Sequence, residues 1–363
     1  MMQLIARALL VVAFMSVGAP AWAQTVKYIL QGTTTFTVPT DWNDSDNKIE
    51  CIGAGGSGAT GVAPNGGGGG GAYSASTNVN MPEGSVVTVQ VGDGVSTAST
   101  AGTDTWICNS TSNCASAVDT AVVCGADGGS GGSDTASTTA PGGQTGNGTG
   151  TVKFAGGTGG SSGGSGCEGG AGGGGAAGPH GAGGNGGLCP DNSVDYGAGG
   201  GGADGGGAGA NGQTLSAGAG GTNRFGTGAG AAGGGTGSDG GGGGGGGIVG
   251  QGGLGSFEPI WSVNHGPGSA GGGGGPPSGG RQGANYGGGG GGAGDGGTNG
   301  AGADGLIIVS YTPSTANNPV SLLAILGTWG GNSGVVSGDC LLQETGGADE
   351  ILQEGPGDCI TQE

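Results

Sequence analysis

Few side chains in this sequence could do chemistry, and the cysteines come first. There are eight among 363 residues, an even number that pairs as disulfides in an oxidising compartment. Cys108 and Cys114 bracket a short polar loop, CNSTSNC, and are the first candidate pair; Cys340 and Cys359 flank the last acidic segment and are the second. Cys51, Cys124, Cys167 and Cys189 can pair among themselves in a connectivity that spacing does not choose. None stands in a C-x-x-C arrangement, which argues against a zinc or redox site.

Catalytic motifs are weak. G-x-S-x-G spans Gly160 to Gly164, but a chain this rich in glycine yields such matches by chance, and the strand–nucleophile–helix setting is missing. G-x-G-x-x-G matches occur without a βαβ unit and imply no dinucleotide site. His180 and His265 lie in glycine-rich loops without a recognisable triad order. The calcium nonapeptide needs a large apolar residue after its Asp. GGTGSDGG around Asp239 lacks one, NGAGADGL around Asp304 begins with Asn299, and neither repeats in tandem. No enzyme activity, cofactor or metal is expected.

Recognition is the better prospect. Three segments interrupt the glycine tracts: LCPDNSVDY (188–196), LGSFEPIWSVNHGPG (254–268) and PPSGGRQGANY (276–286). They concentrate scarce residue types in Tyr196, Phe257, Trp261, His265, Arg281 and Tyr286. Aromatic faces on loops held by a rigid frame could stack on sugar rings, while His and Arg take hydroxyls. The competing reading is a small hydrophobic plug capping the glycine tracts. Trp261 is the best single candidate for binding.

These segments must be positioned by an unusual chain. Glycine supplies 109 residues, against average usage of roughly 7%. Collagen does not fit, because glycine follows no strict three-residue period and 14 prolines fall far below the roughly 15–20% that collagen needs. Low content of large aliphatic residues and a net charge of −19 would suit disorder. A charged fraction of only 9%, the cysteines and the strand-like flanks oppose it. Six lysines and arginines make no basic patch for nucleic acid or an anionic membrane. Neutral glycans, protein receptors and cations remain.

Residues 1–23 read as a secretory signal peptide. Arg7 precedes an apolar run from Ala8 to Val17, Gly18 and Pro20 break the helix, and Ala21-Trp22-Ala23 predicts cleavage before Gln24. The run is shorter than the roughly 20 residues of a spanning helix. Residues 24–124 form a β-rich part with the first glycine tracts. Its predicted strands are Lys27 to Leu30, Thr34 to Val38, Lys48 to Ile52 and Val86 to Val91, with a further one at Ala121 to Val123. Residues 125–312 form the glycine-rich body, closed by a strand from Leu306 to Tyr311. Residues 313–319 read as a linker. The acidic tail, 320–363, carries the degenerate repeat DCLLQE, DEILQE, DCITQE, which suggests a small β-meander or a homo-oligomerisation tag.

The order and wording of TTTFTVPTDWNDSDNKIECIGAGGSG, GGGGGGAYS, VVTVQVGDG, YGGGGGGAGDGG and GADGLIIVSYT resemble the glycine-rich domain of phage tail-fibre adhesins and related bacterial secreted proteins. The likeness covers roughly residues 30–312, with Val38-Pro39 at the opening turn and Asp304 to Tyr311 at the closing strand. It implies short β-strands framing a bundle of polyglycine-II helices that display receptor-binding loops. The fold class expected is thus mostly irregular and all-β. The signal peptide departs from a virion protein and favours an exported protein of the cell surface or extracellular space. The function expected is structural and adhesive, with a cell-surface glycan or protein as partner. A tail-fibre adhesin is the first alternative. A purely structural or ice-interacting scaffold ranks last, because threonine is scattered rather than periodic.

Overall fold

The structure is a computed structural model that describes residues 23–61, 65–163, 167–190, 196–213, 217–225, 259–275 and 278–314. Phe257, Cys340, Cys359, nearly all of the signal peptide and the whole acidic tail, with its expected meander, lie outside the described residues.

Short β-branched segments build two antiparallel sheets. In chain order the strands are β1 (Thr25–Ile29), β2 (Thr35–Thr37), β3 (Asn47–Ile52), β4 (Tyr73–Thr77), β5 (Val86–Gln90), β6 (Thr105–Cys108), β7 (Val122–Ala126), β8 (Val152–Phe154) and β9 (Leu306–Tyr311). One sheet has the order β1-β9-β3-β4-β8 and the other β2-β5-β6-β7. Alternation within β5 sends Val87 and Val89 inward and leaves Val86 exposed, as a half-buried strand requires. The inward residues of both sheets, including Ile49, Ile307 and Val309 from one and Phe36, Val89 and Ile107 from the other, share one apolar core. Each such side chain, taken wholly from water, stabilises the fold by about 2 kcal/mol.

The strand β9 is buried along its whole length because both faces of its sheet are covered. Ile307 and Val309 face the core between the sheets, whereas Leu306 and Ile308 join Ile52, Tyr73 and Ala176 on the opposite side. This last strand sits between β1 and β3, with Ile308 opposite both Tyr28 and Glu50. The chain before the first glycine tract and the chain after the last are thereby held in one sheet. Disulfides join Cys51 to Cys124, Cys108 to Cys114 and Cys167 to Cys189, with Cα separations of 6.2, 6.0 and 6.1 Å. The first links the two sheets and the second closes the predicted polar loop.

The glycine segments between β3 and β9 bond to one another with a repeat of three residues. Gly66, Gly69 and Ala72 donate to the carbonyls of Ser133, Ser130 and Asp127. Gly67 and Gly70 donate to Gly160 and Gly157, and Gly68 and Gly71 to Gly290 and Gly287. The carbonyls of this segment accept in the same rhythm, from Gly56 to Gly69, Gly143 to Gly70 and Gly174 to Gly68. Every third residue therefore addresses the same neighbour, and buried backbone groups find partners without α-helix or β-ladder. The approach is too close for side chains. A Cβ on Gly67 would overlap the carbonyl of Gly172, and one on Gly70 that of Gly175.

Where a segment lies at the surface, the residue that turns outward is free to carry a side chain. The outer segments read A-G-G-T-G-G-S over 155–161 and A-G-G-N-G-G-L over 182–188. Ala182, Asn185 and Leu188 are exposed, and Ala155, Thr158 and Ser161 are half-buried beside them. Gly183, Gly186 and Cys189 donate to the carbonyls of Ala155, Thr158 and Ser161, so the two outer segments lie side by side in register. Local sequence thus records depth: unbroken glycine inside, one side chain in three outside.

Candidate functional site

The largely buried strand β3, NKIECI, carries one acid, Glu50, whose residue is 2% exposed. A buried carboxylate must be paired or hydrogen-bonded, and three groups converge on this one. Tyr73 Oη donates to Oε1 at 2.5 Å, Lys48 Nζ lies 2.7 Å from the same oxygen, and Trp261 Nε1 donates to Oε2 at 2.9 Å. Lys48 and Tyr73 belong to β3 and its neighbour β4. Trp261 comes from the interruption between glycine segments, so Glu50 ties that segment to the sheet.

Further contacts fix the same segment. Tyr28 Oη, from β1, donates to the Trp261 carbonyl at 2.9 Å. The Tyr28 ring stacks on His265 at 3.8 Å between centroids, and His265 lies parallel to Tyr286 at 5.9 Å. Ser262 Oγ and His265 Nδ1 are 2.7 Å apart across the turn, and the Tyr286 amide donates to the Gly266 carbonyl at 3.0 Å. The anchored turn pushes Val263 (81% exposed) and Asn264 into solvent. Burial lowers the His265 pKa. Burial, followed by the Glu50 charge, pushes the Tyr73 phenol far above its ordinary range. Tyr286 is raised first by burial and then by Asp304.

The stack is expected to respond to acid. A released imidazole binds its proton at about pH 6.5, whereas the stacked one resists it to a lower pH. Closure of the turn is therefore fully supported above that value and weakens as pH falls toward the lowered pKa. Amide exchange over 259–268, corrected for intrinsic rates, is expected to be faster at pH 5 than at pH 8. In His265→Gln the corrected rates should no longer differ between those two conditions.

Trp261, His265 and Tyr286 thus converge on one face of the sheet. Tyr196 and Arg281 stand apart from them. Tyr196 is buried beside the backbone of Gly169 and Gly212, and Arg281 is exposed on a segment whose backbone bonds Gly272 and Gly291. Sequence reasoning missed Tyr28, Glu50 and Tyr73, and the lone acid in NKIECI was the available signal.

A second polar group gathers around Asp204, which is fully buried with a positive φ of 52°. Its carboxylate accepts from the His180 amide at 2.8 Å, contacts His180 Nδ1 at 2.7 Å and accepts from Arg224 Nη1 at 3.2 Å. Arg224 also covers the Phe225 ring at 4.5 Å. These contacts pin the turn at Gly178–Gly181, whose two glycines bond each other. Among the described residues, no group of His, Cys, Asp and Glu is arranged to hold a metal ion, and no helix is long and apolar enough to cross a membrane. Comparison with protein-family models and with curated proteins found no match.

Proposed function

We propose that this chain is an exported structural and adhesive protein in which a bundle of polyglycine-II helices, framed by the β-sandwich, holds the 259–268 segment as a recognition element. The observation that carries this reading is the anchoring of that segment. Glu50, Tyr28 and the ring stack fix its base, while Val263 and Asn264 stand in solvent at its tip. A tip held this way loses little conformational entropy on binding. The threefold hydrogen-bond repeat supports the polyglycine-II reading of the bundle. Disulfides suit an extracellular location, and a chain of net charge −19 suits neutral glycans or protein receptors rather than nucleic acid.

The anchor and the tip give different variants. In this reading Trp261 has its indole N–H committed to Glu50 and acts as a positioning residue, while contact with a partner falls to Val263 and Asn264. Labelled mature chain (24–363) is expected to bind intact bacterial cells saturably. Val263→Asp with Asn264→Ala should weaken that binding about tenfold or more without shifting the thermal midpoint. A folded wild-type chain that fails to bind cells or isolated surface polysaccharides would overturn the adhesive reading.

A further inference from the structure

The bundle ends on one side in a layer built from the 138–144, 155–161, 182–188 and 205–211 segments. Gly156 and Gly159 donate to Gly143 and Ala140, joining the first pair, and Gly205, Gly209 and Gly212 donate to Ala182, Asn185 and Leu188, joining the last. The outward residues fall into register across these bonds. Pro141, Thr158, Asn185 and Ala208 form one row, and the rows on either side come three residues before and after it. In a threefold extended chain, equivalent side chains recur about every 9 Å along a segment. Hydrogen-bonded extended chains lie about 5 Å apart. The result is a two-dimensional array of uncharged side chains on a hydrogen-bonded backbone support.

Two features of the array point to a ligand class. No outward position in these rows carries a charge, although the chain as a whole has a net charge of −19. The amides are also held in place: Asn185 Oδ1 accepts from the Thr158 amide at 3.0 Å, and Asn211 Oδ1 accepts from the Leu188 amide at 2.9 Å. Each oxygen is engaged by the neighbouring segment, and because both residues are exposed their NH2 groups are available to donate to a ligand. The Thr158 and Ser161 hydroxyls, on the segment at the other side of Asn185, can donate or accept.

We infer that this layer is a second binding surface, for a neutral polysaccharide that presents hydroxyl groups in a repeating, extended array. The inference rests on the adhesive reading above and extends it from the anchored tip to the bundle itself. An anionic polymer would be repelled by the chain, and a cationic one would find no carboxylate in the rows. Uncharged sugar hydroxyls match the fixed amide and hydroxyl groups, and little side-chain entropy remains to be lost.

The test uses the mature chain (24–363), insoluble cellulose, chitin and β-1,3-glucan as neutral probes, and alginate as an anionic one. Asn185→Asp keeps the oxygen that accepts the Thr158 amide, but replaces the outward NH2 group by a charge. Paired with Asn211→Asp, it is expected to weaken binding to the neutral polysaccharide about tenfold or more, leaving the thermal midpoint and the weak retention on alginate unchanged. The Val263→Asp, Asn264→Ala variant should bind that polysaccharide as wild type does. The inference is overturned if wild type binds none of the neutral probes, or if the double Asp variant binds them equally. It is also overturned if the Asp pair instead abolishes a wild-type dimer in sedimentation. Cell binding that depends on Val263 and Asn264 alone would leave the adhesive reading standing while removing this surface, and loss of every binding activity in a folded chain would remove both.

Discussion

Gly70→Ala is expected to prevent the glycine-rich body from assembling, whereas Ala182→Ser is expected to change stability by less than about 0.5 kcal/mol. The two changes differ in size by only one heavy atom each. Their contrast comes from direction. At Gly70 the new Cβ overlaps the Gly175 carbonyl carbon and oxygen, with the Gly174 carbonyl close behind. These are backbone atoms already engaged in the lattice, since the Gly70 amide donates to Gly157 and the Gly175 amide to Gly184. Inserting a methylene into a packed core commonly costs about 1–3 kcal/mol when side chains can shift. Here a whole segment must move, breaking several hydrogen bonds worth about 1 kcal/mol each, so the loss should exceed about 3 kcal/mol. Ala182 already has an outward Cβ, and the hydroxyl added by serine reaches water. Paired thermal melts check this, and equal midpoints for Gly70→Ala and wild type would refute the packing account.

That contrast explains why the sequence yields part of the fold readily and part of it poorly. Leu306–Tyr311 is legible as a strand because the apolar run Leu306–Val309, followed by Tyr311, comes after an Asp-Gly pair. Asn47–Ile52 and Val86–Gln90 are legible from β-branched residues in the same way. Tyr73–Thr77, Thr105–Cys108 and Val152–Phe154 escaped notice. YSAST has little strand propensity of its own and becomes a strand because it pairs with β3 on one side and β8 on the other. Such pairing is set by tertiary context rather than by local preference.

The three-residue rhythm of the glycine body is hidden for a related reason. Whole-chain counts show no period, because central segments are nearly all glycine and carry no punctuation. The rhythm is written only where a segment meets solvent, as in AGGTGGS and AGGNGGL, and the phase restarts at every turn. Thr158 is one member of a surface row whose other members come from segments far away in sequence. The candidate site shows the limit from the other side. The aromatic interruption at 254–268 is conspicuous, but its anchor Glu50 lies 211 residues before Trp261, a distance over which no local pattern can speak. Cys108 and Cys114 are close enough for spacing to suggest the pair, whereas Cys51–Cys124 and Cys167–Cys189 are selected by the topology.

Removal of the Cys51–Cys124 disulfide is expected to lower stability by about 4 kcal/mol, and removal of Cys108–Cys114 by about 2 kcal/mol. The sequence separations are 73 and 6 residues. A longer closed loop withdraws more conformations from the unfolded chain. Glycine sharpens the consequence: the 51–124 loop includes the first glycine tract, and glycine gains more freedom on unfolding than any other residue. The native-state effect acts in the same direction. Cys51 and Cys124 are fully buried in the core between the sheets and join β3 to β7. Cys51→Ala with Cys124→Ala therefore also leaves a space in that core, while Cys114 sits in a smaller cluster with Cys108, Ala117 and Val122. Chemical denaturation of the two double-alanine variants, each compared with wild type under non-reducing conditions, measures both losses. A larger loss for Cys108→Ala with Cys114→Ala would mean that the polar loop, rather than the link between the sheets, limits unfolding of the sandwich.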